Sequence, residues 1–325
     1  MKIDIFSHMI SKKYEEALLK KAKISTSHLE RWLAQNPALC DVDIRLRRID
    51  RYQGMLEVLV PTLAPLEAFA SPADSIDLAK INNDEIAEIV TKHPDKFMAG
   101  VALLPLSDVD AAVKEAERAC MGLGLRGILM YPTINGEPLD LPKFRPLFAQ
   151  MAQFDLPIWI HPSYFPPFQL SPALVQSPVS KGVPEPPEHF NSIVTKLIQW
   201  PFDTSLAMLR LTMSGIFKEY PKIKIITHHC GGVLPFCGDR VTLRDDDMRK
   251  FYGDTSLLYT PGTLMCAYSY FGPDHLVFGT DAAEGRPHHG VIWDEIRAIE
   301  CLDIPSNDKE KIFERNASHL LRTGL

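Results

Sequence analysis

Eight short apolar runs, separated by stretches of helical pattern, constrain this 325-residue chain more than any other feature. They are Ile3–Phe6, Val58–Val60, Met98–Leu103, Gly127–Met130, Pro157–Ile160, Ile223–Ile226, a weak Asp254–Leu258, and Leu276–Gly279. Runs this short and continuously apolar fit strands covered on both faces, as in parallel sheets. Between them, segments such as Ala111–Arg118 and Phe144–Phe154 gather their apolar residues on one helix face. Eight strand–helix units predict an α/β fold, a (β/α)8 TIM barrel, with a doubly wound open sheet as the alternative.

Two segments exceed a simple barrel. Residues 10–56, an insertion after strand one, carry the pattern of two helices. Residues 162–200 follow strand five, and eight of the chain's 26 prolines fall between Pro162 and Pro187. Prolines lower the entropic cost of ordering a loop, so this stretch reads as a Pro-rich lid loop over the barrel mouth. No internal repeat or linker divides the chain, so residues 1–325 are expected to form one domain.

Composition narrows the function classes. Lys and Arg number 35 against 41 Asp and Glu, a net charge of −6. That balance offers no basic face, so no nucleic acid partner is expected. No stretch approaches the ~18 apolar residues of a membrane helix, so no membrane partner is expected. The first residues run into Lys12, Lys13, Glu15 and Glu16, without the apolar region of a signal peptide. Six Cys form no C-x-x-C pair, which reads as reduced thiols and a cytoplasmic location.

In such a barrel, chemistry sits at the C-terminal ends of the strands. Four runs end in metal-ligand residue types: His8 after the first, His161 after the fifth, His228-His229-Cys230-Gly231-Gly232 after the sixth, and Asp281 after the eighth. One such His is more often a satisfied core residue, but four coincident strand ends predict a site. Imidazole and carboxylate donors suit one divalent metal ion, zinc or manganese. Gly122-Leu123-Gly124-Leu125-Arg126-Gly127 matches G-x-G-x-x-G in letters only. A helix precedes it and a strand follows, the reverse of a dinucleotide site, so it reads as a tight turn.

Asp4-Ile5-Phe6-Ser7-His8, His161, His229-Cys230-Gly231-Gly232-Val233-Leu234-Pro235-Phe236 and Phe278-Gly279-Thr280-Asp281 resemble the amidohydrolase-2 branch of the amidohydrolase superfamily. Within it the chain resembles γ-resorcylate decarboxylase and α-amino-β-carboxymuconate-ε-semialdehyde decarboxylase. The likeness extends through Trp200–Leu206 and Ser214–Pro221. It implies a mononuclear metal barrel in which His8, His161 and Asp281 are metal ligands. His229 then matches a catalytic histidine beside the metal, and Arg45 an arginine holding a substrate carboxylate. Arg240 matches an arginine that some members deliver into a neighbouring subunit's site, which implies a homodimer or dimer of dimers. Phe6 and His288, the latter in the loop after strand eight, join Arg240 as candidate substrate contacts. No Lys ends strand four, which weakens a two-metal hydrolase.

One departure stands out. The family's first motif is His-x-His or Glu-x-His, and here it is Phe6-Ser7-His8. An apolar ring cannot coordinate. Either water completes the metal shell, or Glu15, Glu16, Glu284 or His288 fills in, or metal affinity is lost. The resemblance implies a lyase that removes carbon dioxide from a small-molecule carboxylate, aromatic or unsaturated, bearing a hydroxyl or amino group. In that reading His229 and Asp281 move protons and Arg45 holds the carboxylate. A hydrolase or hydratase with the same residues is the alternative, and a barrel with a degenerate site is the third reading.

Overall fold

The computed structural model describes residues 1–61, 65–163, 194–238, 246–256, 259–282 and 291–323. Its centre is a ring of eight parallel strands: β1 (Lys2–Met9), β2 (Met55–Pro61), β3 (Phe97–Gly100), β4 (Ile128–Met130), β5 (Pro157–Ile160), β6 (Lys224–Thr227), β7 (Tyr252–Asp254) and β8 (Leu276–Val277). Hydrogen-bonded pairing runs β1-β2-β3 on one side and β4-β5-β6-β7-β8 on the other. Two bridges join these arcs, Ala102 with Ile128 and Ser7 with Ala282. The second seam is reinforced by the Ile5 N–H to the Phe278 carbonyl (2.8 Å), His8 N–H to Ala282 (3.1 Å) and Asp281 N–H to Phe6 (3.0 Å). Closure removes the edges of this central sheet and confirms the (β/α)8 barrel, and a separate two-stranded hairpin, Thr133–Ile134 with Glu137–Pro138, stands apart from it.

Helices cover the outside in chain order. These are α1 (Lys12–Lys21), α2 (Ser27–Gln35), α3 (Val42–Ile49), α4 (Pro72–Lys92), α5 (Val109–Glu117), α6 (Arg145–Phe154), α7 (Trp200–Met213), α8 (Ile216–Glu219), α9 (Leu234–Cys237), α10 (Pro261–Phe271), α11 (Val291–Glu300), α12 (Ser306–Glu310) and α13 (Asn316–Leu321). Their starts follow local chemistry. Asp41, Ser71 and Asp108 cap α3, α4 and α5 by accepting the N–H three residues on, at 2.9, 3.1 and 3.0 Å. Among the described residues no helix is long and apolar enough to cross a membrane.

Three local features differ from expectation or explain it. The insertion after β1 holds three α-helices rather than two, because Pro37 starts a separate 3-10 turn and Asp41 then caps a new helix. The seventh strand lies at Tyr252–Asp254, ahead of the run expected at Asp254–Leu258, because the Asp254 carboxylate turns to accept the Ser256 N–H. The loop expected over residues 162–200 is helical from residue 194 onward, and its proline-rich part, residues 164–193, lies outside the described residues. The Gly122–Gly127 stretch is the expected turn. A Cβ on Gly127 would meet the Pro157 carbonyl and the Trp159 ring at 2.4 Å, so glycine is what lets Trp159 fill the barrel. The Trp159 indole N–H then crosses the core to the Ile5 carbonyl at 3.0 Å.

Candidate metal centre and active site

Strand β1 carries an irregularity between Asp4 and Ser7, where three steps on β1 face two on β2. Such bulges re-aim side chains. Beyond it His8 enters the barrel mouth with no exposed surface. Strand β5 delivers His161, β6 delivers His228, and the segment after β8 delivers Asp281. One donor atom from each of these four buried residues lies within 4.8 Å of the others. His8 Nε2 is 3.0 Å and His228 Nε2 3.4 Å from Asp281 Oδ1. His161 turns Nδ1 to the Pro162 carbonyl, which leaves its Nε2 as the donor.

The hydrogen-bond inventory of this cluster points to an ion. Both His8 ring nitrogens, His228 Nε2, His229 Nε2 and Asp281 Oδ1 are buried without a hydrogen-bond partner. Orphaned buried polar atoms cost about 1–3 kcal/mol each, so several facing one point call for a ligand. Three imidazoles and a carboxylate fit zinc or manganese by donor type.

His228 was not among the expected ligands. Neighbouring residues on a strand point to opposite faces, so a His-His pair would send only one ring inward. The backbone breaks that rule. His229 (φ 49°), Cys230 (φ 53°), Gly231 (φ 73°) and Gly232 (φ 69°) are successive left-handed residues. This curl brings the two imidazoles to 3.8 Å between centroids on the same side. Asp281 is also left-handed, at φ 54°. Each non-glycine residue held this way costs on the order of 1–3 kcal/mol, and such strain collects at functional sites. The sequence signal was the Cys230-Gly231-Gly232 run that permits the curl.

Phe6 is fully buried, and its ring stacks on His228 at 3.9 Å and 26°. It is therefore the floor under the donors, not a wall exposed to substrate. Glu15 and Glu16 lie on α1 outside the donor group, while Glu284 and His288 lie outside the described residues. His228 completes the set that Phe6 leaves short.

His229 is the most open of the imidazoles flanking Asp281, with 10% of its side chain exposed against none for His8 and His228. Its Nε2 stands 3.9 Å from Asp281 Oδ2. The Trp200 indole stacks parallel to it at 5.7 Å and 13°. Close approach makes this possible: Gly232 abuts the first turn of α7, where a Cβ would meet the Pro201 carbonyl at 2.0 Å.

Charge states follow from burial and neighbours. Burial and the adjacent imidazoles hold His161 well below its usual value, so it is a neutral donor. Burial and His228 lower His229, leaving it a neutral base. Burial opposes charge on His228, but Asp254 and Asp281 outweigh it and raise the group to about 9, so Nε2 binds a cation readily: a proton without the metal, or the metal in that proton's place. Burial works against the Asp281 carboxylate too, yet the imidazoles of His228, His229 and His8 that face it hold it well below the usual range.

Arg45 stands behind β1, outside the donor group. It is fully buried. Its Nε donates to Glu57 (2.7 Å), one terminal nitrogen to the His8 carbonyl (2.5 Å) and the other to Ser7 Oγ (2.5 Å). Arg48 binds the second Glu57 oxygen at 2.7 Å. With donors engaged on β1, β2 and the Ala38 carbonyl, Arg45 braces the end of the strand that presents His8. The structure does not place it among the donors, where the resemblance puts a hand on the substrate carboxylate. Arg240 lies outside the described residues.

A family model described as Amidohydrolase, Amidohydro_2, matches residues 26–323. The chain belongs to this family. The amidohydrolase chain is 28% identical over 320 residues to a γ-resorcylate decarboxylase of Rhizobium sp. (strain MTP-10005), covering 90% of each. It is 30% identical over 323 residues to a γ-resorcylate decarboxylase of Polaromonas sp. (strain JS666 / ATCC BAA-500), again covering 90% of each. Its fold matches a dihydroxybenzoic acid decarboxylase from Polaromonas sp. JS666, solved with bound manganese and the inhibitor 2-nitroresorcinol. That match has a TM-score of 0.81 and 25% identity, and covers 100% of this chain and 97% of the other.

Proposed function

We propose that this amidohydrolase is a metal-dependent, non-oxidative decarboxylase of a small aromatic or unsaturated carboxylate bearing a hydroxyl or amino group. The observation that carries the reading is the convergence of four buried donors, His8, His161, His228 and Asp281, at the C-terminal mouth of the barrel, with the facing atoms of His8, His228 and Asp281 left without a hydrogen-bond partner. Relatives that decarboxylate dihydroxybenzoates support the substrate class.

Loss of carbon dioxide leaves an electron pair on carbon, so the reaction needs an electron sink and a proton at that carbon. When bound, a zinc or manganese ion supplies positive charge that draws substrate oxygens into place and stabilises the developing charge. The protein's own groups do the rest. His229, neutral and partly open, takes a proton from the substrate hydroxyl at Nε2 and returns it to the carbon that parts from the carboxylate. Asp281 Oδ2 faces that nitrogen and stabilises the imidazolium formed in between. Trp200 keeps the His229 ring in its plane. Phe6 and the barrel wall exclude water from beneath. Arg240 and His288 remain the proposed substrate contacts, and a cytoplasmic homodimer or dimer of dimers remains the proposed assembly.

The test is carbon dioxide release from a panel of 2-hydroxybenzoates and 2,6-dihydroxybenzoate, with protein supplied with manganese or zinc. Release equal to substrate consumed is expected. Turnover without carbon dioxide would replace this reading with a hydrolase or hydratase, and no turnover of any acid would leave a binding barrel.

A further inference from the structure

The centre depends on a residue that is not itself one of the four donors. Asp254, at the end of β7, is fully buried, and its Oδ2 lies 2.5 Å from His228 Nδ1. Its Oδ1 accepts three hydrogens: Cys230 N–H at 3.1 Å, Ser256 N–H at 3.2 Å and Ser256 Oγ–H at 2.9 Å. A carboxylate gripped at one oxygen by two backbone amides cannot swing away. The other oxygen is therefore fixed, and it demands a proton from Nδ1.

We propose that Asp254 is the positioning residue of the metal centre, locking His228 with its proton on Nδ1 so that Nε2 presents a lone pair to the ion. The proposal rests on the reading of His8, His161, His228 and Asp281 as a metal site. Two further contacts fit. Phe6 stacks on the His228 ring at 3.9 Å and 26°, which hinders its tilting towards that face. The Cys230 N–H that Asp254 accepts belongs to the left-handed curl that turns His228 inward, so one carboxylate holds both ring and backbone. A histidine ligand whose second nitrogen is held by a carboxylate is oriented and made more basic.

Asn at 254 separates this role from simple packing. The two backbone N–H donors fix its oxygen on their side, so its NH2 must face His228 Nδ1. The imidazole then accepts at Nδ1 and carries its proton on Nε2, where no ion can bind.

The experiment compares wild type with Asp254→Asn. Manganese and zinc affinity is read by chelator competition, and the His228 tautomer by NMR on 15N-histidine-labelled, zinc-loaded protein. Wild type is expected to bind one ion and to show the proton on Nδ1. Asp254→Asn is expected to bind on the order of 10- to 100-fold more weakly and to move the proton to Nε2. If wild type binds metal with Nε2 protonated, or if Asp254→Asn binds as tightly as wild type, the positioning role is wrong and the metal site stands. If wild type binds no metal, the reading of the site falls and the proposal with it. The wild-type tautomer decides the matter even if the variant does not fold.

Discussion

Replacing Arg45 with Met keeps most of the side-chain volume and removes the guanidinium. The variant loses the 2.7 Å ion pair with Glu57 and the 2.5 Å hydrogen bonds to the His8 carbonyl and Ser7 Oγ. Glu57 is fully buried, and only Arg48, at 2.7 Å, remains to balance it. Removing one partner of a buried pair costs about 3–5 kcal/mol, chiefly by stranding the other charge. Arg48 softens that, but the lost His8 and Ser7 contacts add to it, so a loss of about 3–5 kcal/mol is expected. Urea unfolding should show a lower midpoint at unchanged slope. The pair is sealed from solvent, so added salt should barely alter the difference. Metal affinity should also fall, since His8 loses the brace behind its strand. The alternative role, a hand on the substrate, predicts the reverse pattern. A raised KM with a stability change under about 1 kcal/mol would refute the brace.

Other consequences are as direct. Gly127→Ala should destabilise by at least about 1–3 kcal/mol, since its Cβ meets the Pro157 carbonyl and Trp159 at 2.4 Å; thermal or urea unfolding reads this. Burial and Glu57 lift the Asp4 carboxyl to about 7 against the pull of Thr280 and Phe6 hydrogen bonds. The folded chain thus holds a proton that the unfolded chain releases near pH 4, so this contribution is full below pH 4 and is lost as pH rises to about 7. Asp4→Asn should flatten that slope and match or exceed wild-type stability at pH 8. His229→Asn should keep metal content near wild type while kcat falls by about 10²–10⁴-fold, the usual worth of a general acid–base group; near-normal turnover would remove His229 from the chemistry.

The strands were legible because each is a short apolar run, and a closed parallel barrel buries both faces of every strand. The weak seventh run misled by two residues because Asp254 is a strand end occupied with a turn and with His228. The strand-end rule reached His8, His161, the His228-His229 pair and Asp281, since each follows an apolar run. The family motif then named His8, His161 and Asp281 as ligands and gave His229 the catalytic part, leaving His228 without one; the left-handed curl through Cys230 is what turns both rings of the pair to the same side. The place of Arg45 was hidden for a different reason. An arginine motif shows charge and spacing but not burial, and Glu57, twelve residues away on β2, gives no sign in the sequence that it claims the guanidinium. Phe6 was legible as a position that cannot coordinate, yet its use as a stacking floor for His228 needed the third dimension.

The central claim is that His8, His161, His228 and Asp281 hold a metal ion that serves decarboxylation. The most direct measurement is carbon dioxide released from 2,6-dihydroxybenzoate and related hydroxybenzoates by metal-loaded protein, before and after chelation and on adding metal back. The account predicts release matched to substrate lost, abolished by chelation and restored by manganese or zinc. Carbon dioxide release that persists in metal-free protein would contradict it.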